Sequence, residues 1–212
     1  MGIAEKLKAV QTNLKNEVVL VAVSKTKSNA DILQAYNSGQ RIFGENKVQE
    51  LMQKQEELPK DIQWHMIGHL QSNKVKYIAP FVSLIHGADS LKLLREINKR
   101  ADQNKRIIDC LLQVHIATES SKFGFGINEL EDTLIAVQEF KNINIKGLMG
   151  MATFTNNKTQ ITKEFSGLKM AFNQIKTPQI NILSIGMSGD YQIAIENGST
   201  MIRIGSAIFG TR

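Results

Sequence analysis

Apolar positions in this chain switch repeatedly between short unbroken runs and stripes spaced three or four residues apart. Ile3, Leu7, Val10 and Leu14 fall on one face of a helix predicted to reach Asn16. The following run, residues 18–25, is almost wholly apolar, as a parallel strand covered on both faces requires. Ser28 and Asp31 then form a capping-box pattern that opens a helix, and Gly39 closes it. The cycle continues with predicted strands over residues 41–46, 63–68, 82–89, 108–117, 145–152, 182–188 and 201–210. Between them lie a polar helix ending at Leu58, a short helix from about Gln71, and a helix carrying Leu91, Leu94, Ile97 and Ala101. A helix from about Asn128 follows, then a longer one with Ile161, Phe165, Leu168, Phe172 and Ile175 in register, and a short one from Tyr191.

Strands alternating with helices imply a parallel sheet, and eight such units imply a closed (β/α)8 TIM barrel with an extra N-terminal helix. The sequence stops directly after the eighth strand, so no eighth helix is expected, and the N-terminal helix is expected to fill its place. An open doubly wound sheet is the rival, but no Gly-x-Gly-x-x-Gly turn follows any strand.

Composition narrows the function without naming it. The 212 residues are 42% hydrophobic and 22% charged, which is the balance of a globular protein with a sizeable core. No run is long enough to span a membrane and no signal core opens the chain, so a cytoplasmic protein with no membrane partner is expected. Cys110, the single cysteine, lies in an apolar run and reads as a buried, inert thiol. The net charge of +6 is dispersed among acidic residues, and no nucleic-acid motif accompanies it, so no nucleic-acid partner is expected. A phosphorylated small molecule needs only a few donors and remains compatible.

Barrel proteins carry their sites at the C-terminal ends of the strands. There the sequence places Lys25, Asn46, Gly68 and His69, Asp89, Ser188 and Gly189, and Gly205 and Ser206. A lysine closing an apolar run is partly desolvated, and desolvation favours the neutral nucleophilic amine that imine formation needs. The alternative is a lysine that snorkels from the barrel mouth into water. Lys27 competes with Lys25, and spacing does not choose between them. Ser188 with Gly189 and Gly205 with Ser206 occupy the turns after strands seven and eight, where barrels bind phosphate through amides exposed by small residues. Ordinary turn chemistry accounts for either pair alone, but two such turns in the two phosphate positions favour an anion. Arg203 interrupts an apolar strand and is expected to meet a ligand or to pair with a carboxylate such as Glu45. His65 and His69 are four apart, which suits a metal only on a helix, and no metal site is expected. His86 and His115 read as core or rim residues.

These residues lie in blocks that resemble the pyridoxal phosphate homeostasis proteins, which share the barrel of alanine racemase. The blocks are Ala22-Val-Ser-Lys25-Thr-Lys27, Phe43-Gly-Glu-Asn46, Trp64-His-Met-Ile-Gly-His-Leu-Gln-Ser-Asn-Lys74, Ser121-Lys-Phe-Gly124, Gly147-Leu-Met-Gly-Met151, Ser184-Ile-Gly-Met-Ser188-Gly-Asp190 and Gly198 through Gly210. The resemblance implies one alanine-racemase-type domain over residues 1–212 that binds pyridoxal 5′-phosphate as an imine on Lys25. Ser188, Gly205 and Ser206 match positions that hold the phosphate, Arg203 an arginine near the cofactor and facing its ring nitrogen, and Asn46 a residue lining the pocket. Lys47 stands where the family often has Tyr, and Ser28 where it often has Pro.

The function so implied is vitamin B6 homeostasis by a monomer that holds the cofactor, performs no turnover and passes it to recipient pyridoxal-phosphate-dependent enzymes. Two alternatives use the same lysine: an amino-acid racemase, and a class I aldolase-like lyase. Racemisation needs an acid/base on each face of the substrate carbon. The racemases of this fold take the second from a tyrosine of a further domain, for which no residues are expected here, and Tyr36, Tyr77 and Tyr191 all read as helix positions.

Overall fold

A computed structural model describes residues 1–14, 17–119 and 123–211. Asn16 at the end of the first predicted helix, Ser121 and Lys122 of the quoted blocks, and Arg212 lie outside the described residues. Eight parallel strands close into a barrel in strict chain order, β1 (Val19–Val23), β2 (Ile42–Glu45), β3 (Gln63–Met66), β4 (Leu84–Ala88), β5 (Ile108–Val114), β6 (Ile143–Gly150), β7 (Ile182–Met187) and β8 (Met201–Ile204). Closure is made by β1 against β8, with Val19 opposite Met201 and Ala22 opposite Ile204.

The helices sit on the outside, and the stripes seen in the sequence are the faces they bury. In α2 (Asn29–Asn37), the Ser28 hydroxyl accepts from the Asp31 amide at 3.2 Å while the Asp31 carboxylate reaches back, and Gly39 at φ +98 ends the turn. α3 (Val48–Glu57) and α4 (Val75–Ile78) follow β2 and β3. α5 (Leu91–Gln103) buries Leu94, Ile97 and Ala101. α6 (Leu130–Val137) starts later than expected because a 3-10 turn, Ile127–Glu129, precedes it. α7 (Lys158–Ile175) buries Ile161, Phe165, Leu168 and Phe172, and α8 (Tyr191–Glu196) follows β7.

One expected element is corrected. The predicted strand over residues 201–210 ends at Ile204, and the chain turns at Gly205 into a single helical turn, α9 (Ser206–Phe209), so a short helix does follow the eighth strand. The apolar Ile208 and Phe209 that prolonged the strand pattern belong to this turn and are buried. The N-terminal α1 (Ile3–Thr12) packs against α9 and α2, covering the seam where β8 meets β1 with buried Leu7 and Val10.

Side chains alternate along each strand between this outer layer and the barrel interior. Val21, Leu84, Leu111, Met149 and Met201 fill the interior as one apolar cluster. Above it stand polar inward positions, His65, His86, Ser184 and Arg203, all buried.

Candidate functional site

β1 ends at Val23, and the chain then makes a four-residue turn, Ser24-Lys25-Thr26-Lys27, closed by the Lys27 amide donating to the Ser24 carbonyl at 3.0 Å. Lys25 is half-buried at its second position, and among the described residues its amine has no hydrogen-bond or ion-pair partner. Lys27 is differently placed. Its amine donates to the carbonyls of Phe209 at 3.2 Å and Gly210 at 3.1 Å, and so holds the end of α9.

Gly205 lies beside β1: a Cβ there would come within 3.3 Å of Val23. The Ser188 hydroxyl oxygen accepts from the Gly205 amide at 3.2 Å and, weakly, from the Ala207 amide at 3.5 Å. The two turns read as phosphate positions are therefore joined, and Ala207 adds a donor that the sequence reading missed. Ser206 opens α9 and is exposed, and a Cβ at Gly189 would meet nothing within 4 Å, so this corner is open. Asn46 follows β2, half-buried, with Gly68 so close over it that a Cβ at Gly68 would sit 2.5 Å from its carbonyl. Lys47 is exposed beside it, at the cap of α3.

Arg203 does not pair with Glu45. The two side chains lie on opposite sides of the barrel wall, and Glu45 pairs instead with Lys54 at 2.8 Å in the outer layer. Arg203 points inward and binds neutral oxygens, donating to Ser184 Oγ at 2.6 Å, the Ser184 carbonyl at 2.8 Å and the Gly150 carbonyl at 3.0 Å. Burial pulls its guanidinium down to about 10, with the Asp190 carboxylate partly opposing that shift, so it stays charged at neutral pH.

A chain of polar groups crosses the interior below it. His86 Nδ1 lies 3.2 Å from Ser184 Oγ, and His86 Nε2 lies 3.0 Å from His65 Nδ1. One polarity fits all three contacts: Arg203 donates to Ser184, the Ser184 hydroxyl to His86, and His86 to His65. Burial holds His65 down to about 3, and burial, with His65 and Arg203 adding to it, holds His86 well below the usual imidazole range. Both rings are neutral in the fold, whereas in the unfolded chain they take up protons below about 6.5. Stability is therefore unaffected by them above that pH and falls as pH drops from about 6.5 toward about 3. For His65 alone the loss at pH 5 is about 2 kcal/mol. Urea midpoints at pH 7 and pH 5 are expected to fall more steeply in the wild type than in His65→Gln, and equal slopes would refute this origin.

The remaining candidates are quickly placed. His69 pairs with Asp89 at 2.9 Å and stacks on Phe123 at 4.0 Å, at the ends of β3 and β4. His115 lies 2.9 Å from the Glu119 carbonyl at the rim. Among the described residues no three His, Cys, Asp or Glu side chains converge as metal ligands. Cys110 is buried, and burial pushes its thiol up.

Among the described residues the eight-stranded barrel carries an unpartnered lysine after β1 and joined glycine–serine turns after β7 and β8. Its type is that of the alanine racemase barrel: the family model for the alanine racemase N-terminal domain matches residues 2–212. The chain is 43% identical over 197 residues to a pyridoxal phosphate homeostasis protein of Helicobacter pylori, covering 91% of this chain and 87% of that one. It is 37% identical over 219 residues to that of Escherichia coli K12, covering 99% and 94%. A solved structure of PipY from Synechococcus elongatus, with PLP bound, superposes with a TM-score of 0.90 at 34% identity, covering 98% of this chain and all of that one. Alanine racemase from Bartonella henselae shares the fold at a TM-score of 0.78 and 16% identity, this chain matching 58% of its length. The chain belongs to the pyridoxal phosphate homeostasis protein family.

Proposed function

We propose that the chain binds pyridoxal 5′-phosphate at the C-terminal mouth of the barrel, covalently through Lys25, and holds it for supply to recipient enzymes that depend on it. The observation that carries this reading is the Lys25 amine, partner-free among the described residues, on the same rim as the Gly205 and Ala207 amides. The residues at the mouth fit the group. An aldehyde needs an uncommitted amine, and a phosphate needs amides it can approach closely. Among the described residues the two amides meet only the Ser188 hydroxyl, at long range, so a stronger acceptor has donors to take. In this reading Ser188, Gly205 and Ser206 hold the phosphate and Asn46 lines the pocket. Arg203 faces the ring nitrogen, where a guanidinium that stays charged and has no lone pair to offer leaves that nitrogen unprotonated. When bound, the cofactor supplies a reactive aldehyde and an electron-withdrawing ring.

Residues 1–212 act as one binding domain, a cytoplasmic monomer with no nucleic-acid or membrane partner. Among the described residues no helix is long and apolar enough to cross a membrane. We further propose that the loaded protein performs no useful turnover, unlike a racemase or an aldolase. The tyrosines support this. Tyr36 sits on α2 with its hydroxyl donating to Asp61 at 2.7 Å, Tyr77 lies on α4, and Tyr191 packs from α8 into the outer core cluster. None is presented from a strand end to give the second acid/base, whose absence costs about 10²- to 10⁴-fold in rate. A chiral assay of several amino acids with excess cofactor is expected to show no racemisation above free pyridoxal phosphate. Sustained turnover that disappears in Lys25→Ala would replace the binding reading with a racemase.

A further inference from the structure

The turn that carries Lys25 is gripped from outside the barrel by a cluster buried between β1, β2 and α3. Lys54, on the inner face of α3, is buried and donates to three acceptors: the Ser24 carbonyl at 2.8 Å, Glu45 Oε1 at 2.8 Å and Glu50 Oε1 at 2.6 Å. Glu45 Oε1 also accepts from the Ser24 hydroxyl at 2.6 Å. Glu50 Oε1 also accepts from the Thr26 amide at 2.6 Å. The residues on either side of Lys25 are thus both held, Ser24 by its carbonyl and hydroxyl and Thr26 by its amide.

Thr26 explains why holding is needed. Its φ of +63 is a left-handed conformation that a β-branched residue does not adopt unaided. Without the grip the turn relaxes to other conformations, and the direction of Lys25 changes with it. We propose that Lys54, together with Glu50, is a positioning residue for the Lys25 amine, fixing the turn so that Nζ faces the barrel mouth. This rests on the reading of Lys25 as the cofactor lysine. In the attachment the neutral amine nitrogen adds to the aldehyde carbon, and one water leaves as the carbon–nitrogen double bond forms. Lys54 takes no part in that exchange; it keeps the nucleophile in place. Where the competent turn is populated only a tenth of the time, the apparent constant for attachment falls tenfold.

The prediction separates attachment from pocket binding by using two probes. Pyridoxal 5′-phosphate reports imine formation through its visible band. Pyridoxamine 5′-phosphate, which lacks the aldehyde, reports only the phosphate and ring contacts. In Lys54→Met and in Glu50→Ala the rate and extent of imine formation are expected to fall at least tenfold, while pyridoxamine 5′-phosphate affinity stays within threefold. Glu50→Gln, which keeps an acceptor for the Thr26 amide, is expected to stay near the wild type. Glu50 reaches the surface, so its variants carry the test even where Lys54→Met fails to fold. Imine formation unchanged in Glu50→Ala overturns the proposal, and so does an equal loss for both probes, which would make the cluster a general scaffold. A wild type whose adduct lies away from Lys25 overturns instead the reading on which it rests.

Discussion

Replacing Lys25 by alanine is expected to remove the visible imine band entirely and to weaken pyridoxal 5′-phosphate binding by at least a hundredfold. The covalent link is the one contact whose loss no neighbour can make good. Lys27 is two residues away, but its amine is committed to the Phe209 and Gly210 carbonyls, and turning it to the mouth would strip the end of α9 of its donor. A hundredfold loss corresponds to about 2.7 kcal/mol, comparable to losing one well-placed polar anchor. Spectral titration of the variant beside the wild type checks this. A variant that colours like the wild type would show that the amine acts elsewhere.

A negative charge in the turns after β7 and β8 is expected to be nearly as damaging, and selectively so. In Ser188→Asp the carboxylate would stand where the hydroxyl now meets the Gly205 and Ala207 amides, competing for the donors and repelling a phosphate. At close range, with an effective dielectric near 20, that repulsion is about a few kcal/mol. Affinity for pyridoxal 5′-phosphate should fall roughly a hundredfold or more. Ser206→Asp, one residue beyond Gly205, should act in the same direction. Unphosphorylated pyridoxal should change severalfold at most. Equal weakening of both ligands would place the phosphate elsewhere or report a damaged fold.

The barrel was legible because its strands and helices use different periods. The run at residues 18–25, the Ser28 cap and the α7 stripe each specify one element, and all three elements formed, the first as a strand over Val19–Val23 that ends before Ser24 and Lys25. The end of β8 was not legible, because a short apolar run fits a strand and a buried helical turn equally well. Only packing against α1 shows that Ile208 and Phe209 belong to α9. Individual candidate residues fell at or just beyond strand ends and could be read there. Their partners could not. Lys54 looked like one charge among many on a polar helix, and its contact with the Ser24 carbonyl spans thirty residues. His65 and His86 are twenty-one residues apart and meet only once β3 and β4 pair inside a closed barrel. Arg203 stood out as unusual, but Glu45 was the wrong carboxylate: Glu45 pairs with Lys54, and the carboxylate that acts on Arg203 through charge is Asp190. Neutral carbonyls and a serine satisfy a guanidinium geometrically without neutralising it.

Carriage of the cofactor by Lys25 is open to one direct test. The direct measurement is to load the wild type with pyridoxal 5′-phosphate, reduce with borohydride and map the modified peptide by mass. A single stoichiometric adduct on Lys25 is expected. An adduct confined to Lys27 or to another lysine, with Lys25 unmodified, would contradict it.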